Sequence, residues 1–104
     1  MFQNIDNGEF ERICKQKNVV VMDVRTPKEV SEGFIPGTSL FLDINNSEEF
    51  SEEIKKLDRA KAYVVYCRSG ARSAKACKIL EQQGFKGPFY NLALGYKGWE
   101  EKNK

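Results

Sequence analysis

Two continuous apolar runs constrain the fold of this chain more than any other feature. One is Val19-Val20-Val21-Met22, which ends at Asp23, and the other extends from Ala62 to Tyr66. Neither run alternates with polar residues, so each indicates a strand that is covered on both faces. Strands of this kind are typical of parallel sheets that lie between layers of helices.

Segments with helical signals separate these two strands from shorter ones. Capping residues and apolar spacing predict helices that begin after Asp6 or Asn7, at Thr26-Pro27, after Ser47, at Ser73 and at Tyr96. Shorter strands are expected at Phe2–Ile5, Ser39–Leu42 and Pro88–Tyr90. The alternation predicts one α/β domain over residues 1–104, with a mostly parallel sheet flanked by helices.

Ligands bind such sheets beyond the carboxyl ends of the strands, which directs attention to the loop after Tyr66. Its sequence is Cys67-Arg68-Ser69-Gly70-Ala71-Arg72-Ser73. The following helix offers unpaired amides and the positive end of its dipole, and Gly70 lets the loop amides turn inward. Together with Arg68 and Arg72, these groups favour a thiolate and also bind an anion. The loop therefore predicts nucleophilic attack by the Cys67 sulfur on an anionic substrate.

Cysteine is among the most buried residue types, so a structural role is the first interpretation of any cysteine. Two arginines and a glycine within five residues favour the catalytic interpretation for Cys67. Cys14 and Cys77 fall on the apolar faces of predicted helices and have no cysteine or histidine nearby in sequence. We interpret both as core residues.

The chain contains no histidine, which excludes a Cys-His dyad, a Ser-His-Asp triad and the usual zinc sites. We predict neither a metal nor a cofactor. The three cysteines are an odd number without a CxxC pair, which suits free thiols in a reducing compartment. We therefore expect a cytoplasmic protein.

Charge and hydropathy exclude several classes of partner. The formal net charge of +2 argues against a nucleic-acid-binding protein. The longest apolar runs are far too short to cross a bilayer, and the first residues lack the basic and apolar stretches of a secretory signal. We expect neither nucleic acid nor membrane as a partner, and a monomer.

Three segments of the chain resemble the rhodanese family. The first is the loop Tyr66–Ser73, which resembles the family's active-site loop. The second is Met22-Asp23-Val24-Arg25 with Glu29 and Gly33-Phe34-Ile35-Pro36-Gly37, and the third is Asn91-Leu92-Ala93-Leu94-Gly95 with Trp99. The resemblance extends over about residues 5–102. The chain departs from it at Phe34, usually histidine, and at Leu94, usually glycine, and both departures concern the rim of the pocket.

The resemblance implies a three-layer domain with a central, mostly parallel five-stranded sheet. It also implies a thiosulfate sulfurtransferase that acts through a persulfide of Cys67, with substrate bound by Arg68, Ser69, Gly70, Ala71 and Arg72. The two arginines are expected to bind the sulfonate oxygens of the donor. We expect a small anionic donor such as thiosulfate, and as acceptor cyanide or a thiol, for example glutathione or a thioredoxin-like protein.

Two other function classes share parts of this pattern. Rhodanese-like domains also serve as sulfur carriers or regulatory binding modules, although Cys67 and both arginines favour catalysis. Cysteine phosphatases and some arsenate reductases have five residues between cysteine and arginine, whereas four separate Cys67 from Arg72. Those phosphatases also usually have a histidine where this chain has Tyr66, so we rank this class below sulfurtransferase.

Asp23 and Arg25 follow the first apolar run and are interpreted as structural. A charged pair at the end of a buried strand often orders a turn, and Arg25 with Glu29 is one candidate pair. Polar networks beside a site more often support reacting groups than react themselves.

Overall fold

The computed structural model describes residues 1–104 as five strands that alternate with five helices. The strands are β1 Gln3–Ile5, β2 Val19–Asp23, β3 Leu40–Phe41, β4 Ala62–Tyr66 and β5 Phe89–Leu92. The helices are α1 Asn7–Cys14, α2 Pro27–Ser31, α3 Ser47–Ile54, α4 Ala71–Gln82 and α5 Gly95–Lys102. None of these helices has the length and apolarity needed to span a bilayer.

All five strands form one parallel sheet in the order β1-β5-β4-β2-β3. The longest pairing joins β2 to β4, in register from Val19–Ala62 to Asp23–Tyr66. The predicted three-layer α/β fold with a five-stranded sheet is confirmed, and the sheet is parallel throughout. The carboxyl ends of all strands consequently meet at one edge, which we call the carboxyl edge.

Two apolar clusters cover the two faces of the sheet. Met22 and Val65 enter the larger cluster, while their chain neighbours Val21 and Val64 enter the smaller one. This division follows from the period of two along a strand, which sends successive side chains to opposite faces. Both apolar runs are therefore strands that are buried on both faces, as predicted. Helices complete the clusters with buried side chains that include Phe50, Ile54 and Leu80 on one face and Phe10 on the other.

Most strand and helix boundaries differ from the prediction by one or two residues, and three of these differences have local reasons. Asn46 rather than Ser47 caps α3, because the Asn46 side chain accepts a hydrogen bond from the Glu49 amide at 3.3 Å. The helix α4 begins at Ala71, before the predicted Ser73, since Gly70 supplies the N-cap. The strand β5 continues to Leu92, because it pairs with β1 as well as with β4.

Candidate active site

Cys67 lies at the carboxyl edge, directly after β4, with 1% of its surface exposed. Its Sγ accepts a hydrogen bond from the Gly70 amide at 3.1 Å and lies 3.3 Å from the Ser73 hydroxyl oxygen. Gly70 is the N-cap of α4, and Ser73 lies in the first turn. The sulfur is therefore held against a helix N-terminus, where negative charge is stabilised.

Two opposing effects act on the pKa of the Cys67 thiol. Burial raises the pKa, because a charged sulfur loses solvation in the protein interior. Hydrogen bonds from the Ser73 hydroxyl and from the amides of Ser73, Ser69 and Gly70 lower it by a larger total amount. The pKa of Cys67 therefore lies below its ordinary value, and no imidazole takes part.

The first turn of α5 holds the other side of the loop. The amides of Tyr96 and Lys97 donate to the carbonyl oxygens of Cys67 and Arg68, at 2.7 and 3.0 Å. The C=O and N–H of a trans peptide unit point in opposite directions, so the N–H groups of Arg68 and Ser69 point away from α5. This anchoring leaves the Ser69 amide available to the sulfur.

Two glycines allow the loop and residues 93–95 to approach closely. Gly70 has a φ of 98°, and a Cβ at this position would overlap the carbonyl oxygen of Ala93. Gly95 has a φ of 64°, and a Cβ there would overlap the carbonyl oxygen of Arg68. Only glycine satisfies both the backbone conformation and the contact at each position.

Arg72 extends from α4 to Glu29 in α2, where the two side chains form a bidentate ion pair. The Nη1–Oε1 distance is 2.7 Å and the Nη2–Oε2 distance is 2.9 Å. Hydrogen bonding from Arg72 is the main reason that the pKa of Glu29 is lowered to about 2. Glu29 also accepts from the Thr26 amide and so completes the capping box of α2. The alternative pairing of Glu29 with Arg25 is therefore wrong.

Arg25 pairs instead with Asp23, and both side chains are buried. Nε and Nη2 of Arg25 lie 3.0 and 2.7 Å from the two carboxylate oxygens. Nη2 also donates to the Gly33 carbonyl at 2.8 Å, and the guanidinium lies 4.3 Å from the centroid of the Tyr96 ring. The pair connects β2, the loop after α2 and α5, which agrees with the structural interpretation.

The residues predicted to bind substrate occupy different environments. Gly70 is buried, Arg72 is half-buried in its ion pair, and Arg68, Ser69 and Ala71 are exposed. Arg68 lines a polar cleft of about 160 Å³ whose other lining residues are Arg25, Glu29, Glu32, Tyr96 and Glu100. Cys67 does not line this cleft, and three of its six lining residues are glutamates. Arg68 is the more exposed cation of the loop, whereas the charge of Arg72 is matched by Glu29.

The other two cysteines lack the surroundings of Cys67. Burial raises the pKa of Cys14 to about 11 and that of Cys77 to about 12. Cys77 is fully buried, and its Sγ donates to the carbonyl oxygen of Tyr90 at 3.8 Å. Neither thiol is ionised at neutral pH, which supports their interpretation as structural residues.

Sequence reasoning did not assign a role to the hydrogen bonds of Ser73 and Asn91. The Ser73 hydroxyl donates to Asn91 Oδ1 at 2.5 Å, and both side chains are buried. Asn91 Nδ2 donates to the Gly70 carbonyl at 3.1 Å and to Asn4 Oδ1 at 3.0 Å. Neighbouring parallel strands bring Asn91 beside Asn4, a contact that no local sequence signal indicates.

Three large apolar side chains are exposed near the carboxyl edge. Phe34 and Leu94 lie in loops, and Phe41 is the last residue of β3. Their exposed fractions are 46% for Phe34, 41% for Phe41 and 61% for Leu94. The Phe34 and Phe41 rings form an edge-to-face pair with centroids 5.0 Å apart. Phe34 and Leu94 are the two positions where the sequence departs from the rhodanese pattern, and both add exposed apolar surface.

The family model for the rhodanese-like domain matches residues 6–102. The chain belongs to the rhodanese-like domain family. A sulfurtransferase of Allochromatium vinosum is 40% identical over 100 residues, which is 95% of this chain and 89% of that protein. The thiosulfate sulfurtransferase GlpE of Coxiella burnetii is 32% identical over 100 residues, or 96% of this chain and 89% of that protein.

A solved structure gives the same result for the rhodanese-like fold. The crystal structure of a rhodanese-like domain protein from Staphylococcus aureus superimposes with a TM-score of 0.77 and 26% sequence identity. The superposition covers 93% of this chain and 90% of that protein. Family, fold and named relatives together support sulfur transfer as the general activity of this rhodanese-like chain.

Proposed function

We propose that this rhodanese-like chain transfers a sulfane sulfur from a thiosulfate-type anion to a thiol or cyanide through a persulfide of Cys67. The observation that carries the proposal is the environment of Sγ, which receives the Gly70 amide at 3.1 Å and has a lowered pKa despite burial. A thiolate in a cradle of amides is a nucleophile beside an anion-binding site. GlpE, which is named for thiosulfate, supports the choice of donor.

In the first half-reaction, the Cys67 thiolate attacks the outer sulfur of thiosulfate. The new bond joins Sγ to that sulfur, the S–S bond of thiosulfate breaks, and sulfite leaves with the bonding electron pair. In the second half-reaction, the acceptor thiolate or cyanide attacks the outer sulfur of the persulfide. The Cys67 thiolate is then restored, so no oxidant or reductant is consumed between the two steps.

The two arginines have different roles in this proposal. Arg68 follows Cys67 directly in the chain and is exposed, so we assign to its guanidinium the binding of the sulfonate oxygens and the stabilisation of the leaving sulfite. Arg72 is bound to Glu29, so it shapes the loop and contributes less net charge. The amides of Ser69 and Gly70 donate to Sγ in the free thiol, and we assign to them the stabilisation of the persulfide anion between the two half-reactions.

The proposal is tested by measuring thiocyanate formation from thiosulfate and cyanide with the parent and the Cys67→Ser variant. The change is nearly isosteric, but a serine hydroxyl is neither ionised at neutral pH nor able to carry a sulfane sulfur. We expect turnover to fall to the uncatalysed level. The matched control is Cys14→Ser, which removes a thiol away from the site and should turn over like the parent.

Mass spectrometry separates the proposal from the sulfur-carrier alternative. After incubation with thiosulfate, the Cys67 peptide should gain the mass of one sulfur atom and lose it when cyanide is added. A gain of sulfur without catalytic turnover would favour a carrier or regulatory module. Turnover retained by Cys67→Ser, or no added sulfur on Cys67, contradicts the proposed mechanism.

A further inference from the structure

The side chain of Asn91 has only one possible orientation. Its Nδ2 donates to the main-chain carbonyl of Gly70 at 3.1 Å, and a carbonyl oxygen can only accept. The other Nδ2 hydrogen is directed to Asn4 Oδ1 at 3.0 Å. Asn91 Oδ1 must therefore face the Ser73 hydroxyl, and this hydroxyl is its only hydrogen-bond donor.

The Ser73 hydroxyl has one hydrogen and two neighbours that compete for it. Asn91 Oδ1 lies 2.5 Å from Ser73 Oγ on one side, and Cys67 Sγ lies 3.3 Å away on the other. When the hydrogen points to Asn91, the lone pairs of Oγ face the sulfur and accept from a protonated thiol. When Cys67 ionises, the sulfur becomes an acceptor, and the Ser73 hydrogen must turn to it and leave Asn91 Oδ1 unpaired.

We propose that Asn91 is a positioning residue that limits the acidity of Cys67 by competing with its sulfur for the hydroxyl hydrogen of Ser73. Asn91 is 3% exposed and Ser73 is fully buried, so water does not readily replace the lost partner. The competition therefore favours the protonated thiol over the thiolate. Ionisation sends the thiol proton to solvent, and it rotates the Ser73 hydroxyl without breaking a covalent bond.

The same competition distinguishes the two states of the catalytic cycle, in an extension that rests on the proposed function. In the free thiolate, the negative charge is on Sγ, and the Ser73 hydrogen is drawn to it. In the persulfide, the charge moves to the outer sulfur and Sγ becomes a weak acceptor. The hydrogen then returns to Asn91, so the Ser73 hydroxyl changes partner once in each half-reaction.

Charged and titratable groups around Cys67 are unchanged in the variants used below, so their effects on its pKa cancel. The loop and α4 contribute Arg68, Arg72 and Cys77, and α2 contributes Glu29. The remaining groups come from the end of β2, the C-cap of α2, the residues after β3 and α5, namely Asp23, Arg25, Glu32, Asp43, Tyr96 and Glu100. The segment β5 and residues 93–95 contribute no charged side chain.

The test measures the iodoacetamide alkylation rate of Cys67 against pH in the parent, Asn91→Leu, Ser73→Ala and the double variant. Asn91→Leu removes the competing acceptor at similar size, and Gly70 O keeps its hydrogen bond from the Ala74 amide at 3.1 Å. We expect the alkylation profile of Asn91→Leu to move to lower pH. On the rising limb of the profile the rate should increase about tenfold, because ionisation of Cys67 no longer leaves a buried acceptor at residue 91 without its hydrogen bond.

The double variant separates competition from a general structural effect. Ser73→Ala removes the shared hydrogen, so we expect its profile to move to higher pH. Adding Asn91→Leu to Ser73→Ala should then change the rate by less than about twofold. A shift of Asn91→Leu to higher pH, or an equal effect of Asn91→Leu with and without Ser73, overturns the proposal. Alkylation does not depend on sulfur transfer, so failure of the proposed function would leave this result interpretable.

A measurement on the parent protein keeps the proposal testable if Asn91→Leu does not fold. The infrared S–H stretching band of protonated Cys67 is obtained by subtracting the spectrum of Cys67→Ser. We expect the band at the lower frequency of a hydrogen-bonded S–H donor, because Ser73 accepts from it, and this shift should be lost in Ser73→Ala. A band at the frequency of a free thiol in the parent contradicts the assignment of the Ser73 hydrogen to Asn91.

Discussion

The guanidinium of Arg72 donates two parallel hydrogen bonds to the carboxylate of Glu29, with Nη1–Oε1 and Nη2–Oε2 distances of 2.7 and 2.9 Å. The pair joins the catalytic loop to α2, because Glu29 is also the N3 residue of the α2 capping box. A bidentate contact fixes the orientation of the guanidinium as well as its position. Arg72 is therefore better placed to hold the loop than to follow a moving substrate.

Replacing Glu29 with Gln should destabilise the fold at neutral pH and have less effect in acid. The pKa of Glu29 is about 2 in the folded protein and 4.5 ordinarily, so its stabilisation is present above pH 4.5 and is lost as the pH falls toward 2. We expect a loss of about 1 kcal/mol at pH 7, since the pair is partly exposed. Urea unfolding from pH 7 to pH 3 measures this difference, with Glu32→Gln at the C-cap of the same helix as the control. An equal loss at both pH values contradicts the ion-pair assignment.

Replacing Arg68 with Ala should weaken the binding of anionic donors. The Arg68 guanidinium is the exposed cation of the loop, and we expect the KM for thiosulfate to rise about fivefold at low ionic strength, with kcat less affected. Steady-state kinetics at several salt concentrations measure the effect, and Lys75→Ala on the exposed side of α4 serves as the control. If KM and its salt dependence match those of the parent, the loop amides alone bind the anion.

Limited alkylation should distinguish the three cysteines of the parent protein. At about pH 6.5, iodoacetamide should label Cys67 first, because its pKa is lowered while those of Cys14 and Cys77 are raised to about 11 and 12. Prior incubation with thiosulfate should protect Cys67. Peptide mapping by mass spectrometry gives the labelled fraction at each position. Equal labelling of Cys14 and Cys67 would count against an activated thiol.

Replacing Gly70 with Ala should destabilise the protein more than the same change at Gly84. Both glycines have positive φ, 98° and 82°, so both variants carry the left-handed backbone cost of about 1–2 kcal/mol. At Gly70 the new Cβ also overlaps the Ala93 carbonyl oxygen, whereas no atom lies within 4 Å of a Cβ at Gly84. Thermal and urea unfolding of the two variants isolate the contact. If Gly70→Ala and Gly84→Ala lower the free energy of unfolding equally, the loop can move away from Ala93 without an energetic penalty.

The sequence was sufficient to predict the parts of the protein that depend on local pattern. The apolar runs around Val21 and Val64 specify strands buried on both faces, and the position of Cys67 between strand and helix places it at the carboxyl edge. The partner of Arg72 was not predicted, because Glu29 lies 43 positions before it in the chain. Glu29 was assigned instead to Arg25, which is much nearer to it in sequence. Charge type shows that a pair is possible, but only the packing of α2 against the loop decides which carboxylate is within reach.

The hydrogen bonds of Asn91 were beyond sequence reasoning for a similar reason. Asn91 follows the predicted strand Pro88–Tyr90, and its contact with Asn4 depends on the β1–β5 register, which joins residues 87 positions apart in the chain. Ser73 reads as a helix-starting residue, yet the helix begins at Ala71 and places the hydroxyl inward. The hydrogen bonds of Ser73 and Asn91 depend on the direction in which each side chain points, and residue type alone does not predict that direction.

The contact between α5 and the loop has a consequence for synthesis of the chain on the ribosome. The carbonyls of Cys67 and Arg68 are fixed by the amides of Tyr96 and Lys97, which are translated about thirty residues after the cysteine. Until α5 leaves the exit tunnel, the carbonyls of Cys67 and Arg68 lack these hydrogen bonds, and the loop that presents its amides to the thiol is not anchored. We therefore expect the pKa of the Cys67 thiol to fall below its ordinary value only after α5 has been synthesised and has packed against the loop.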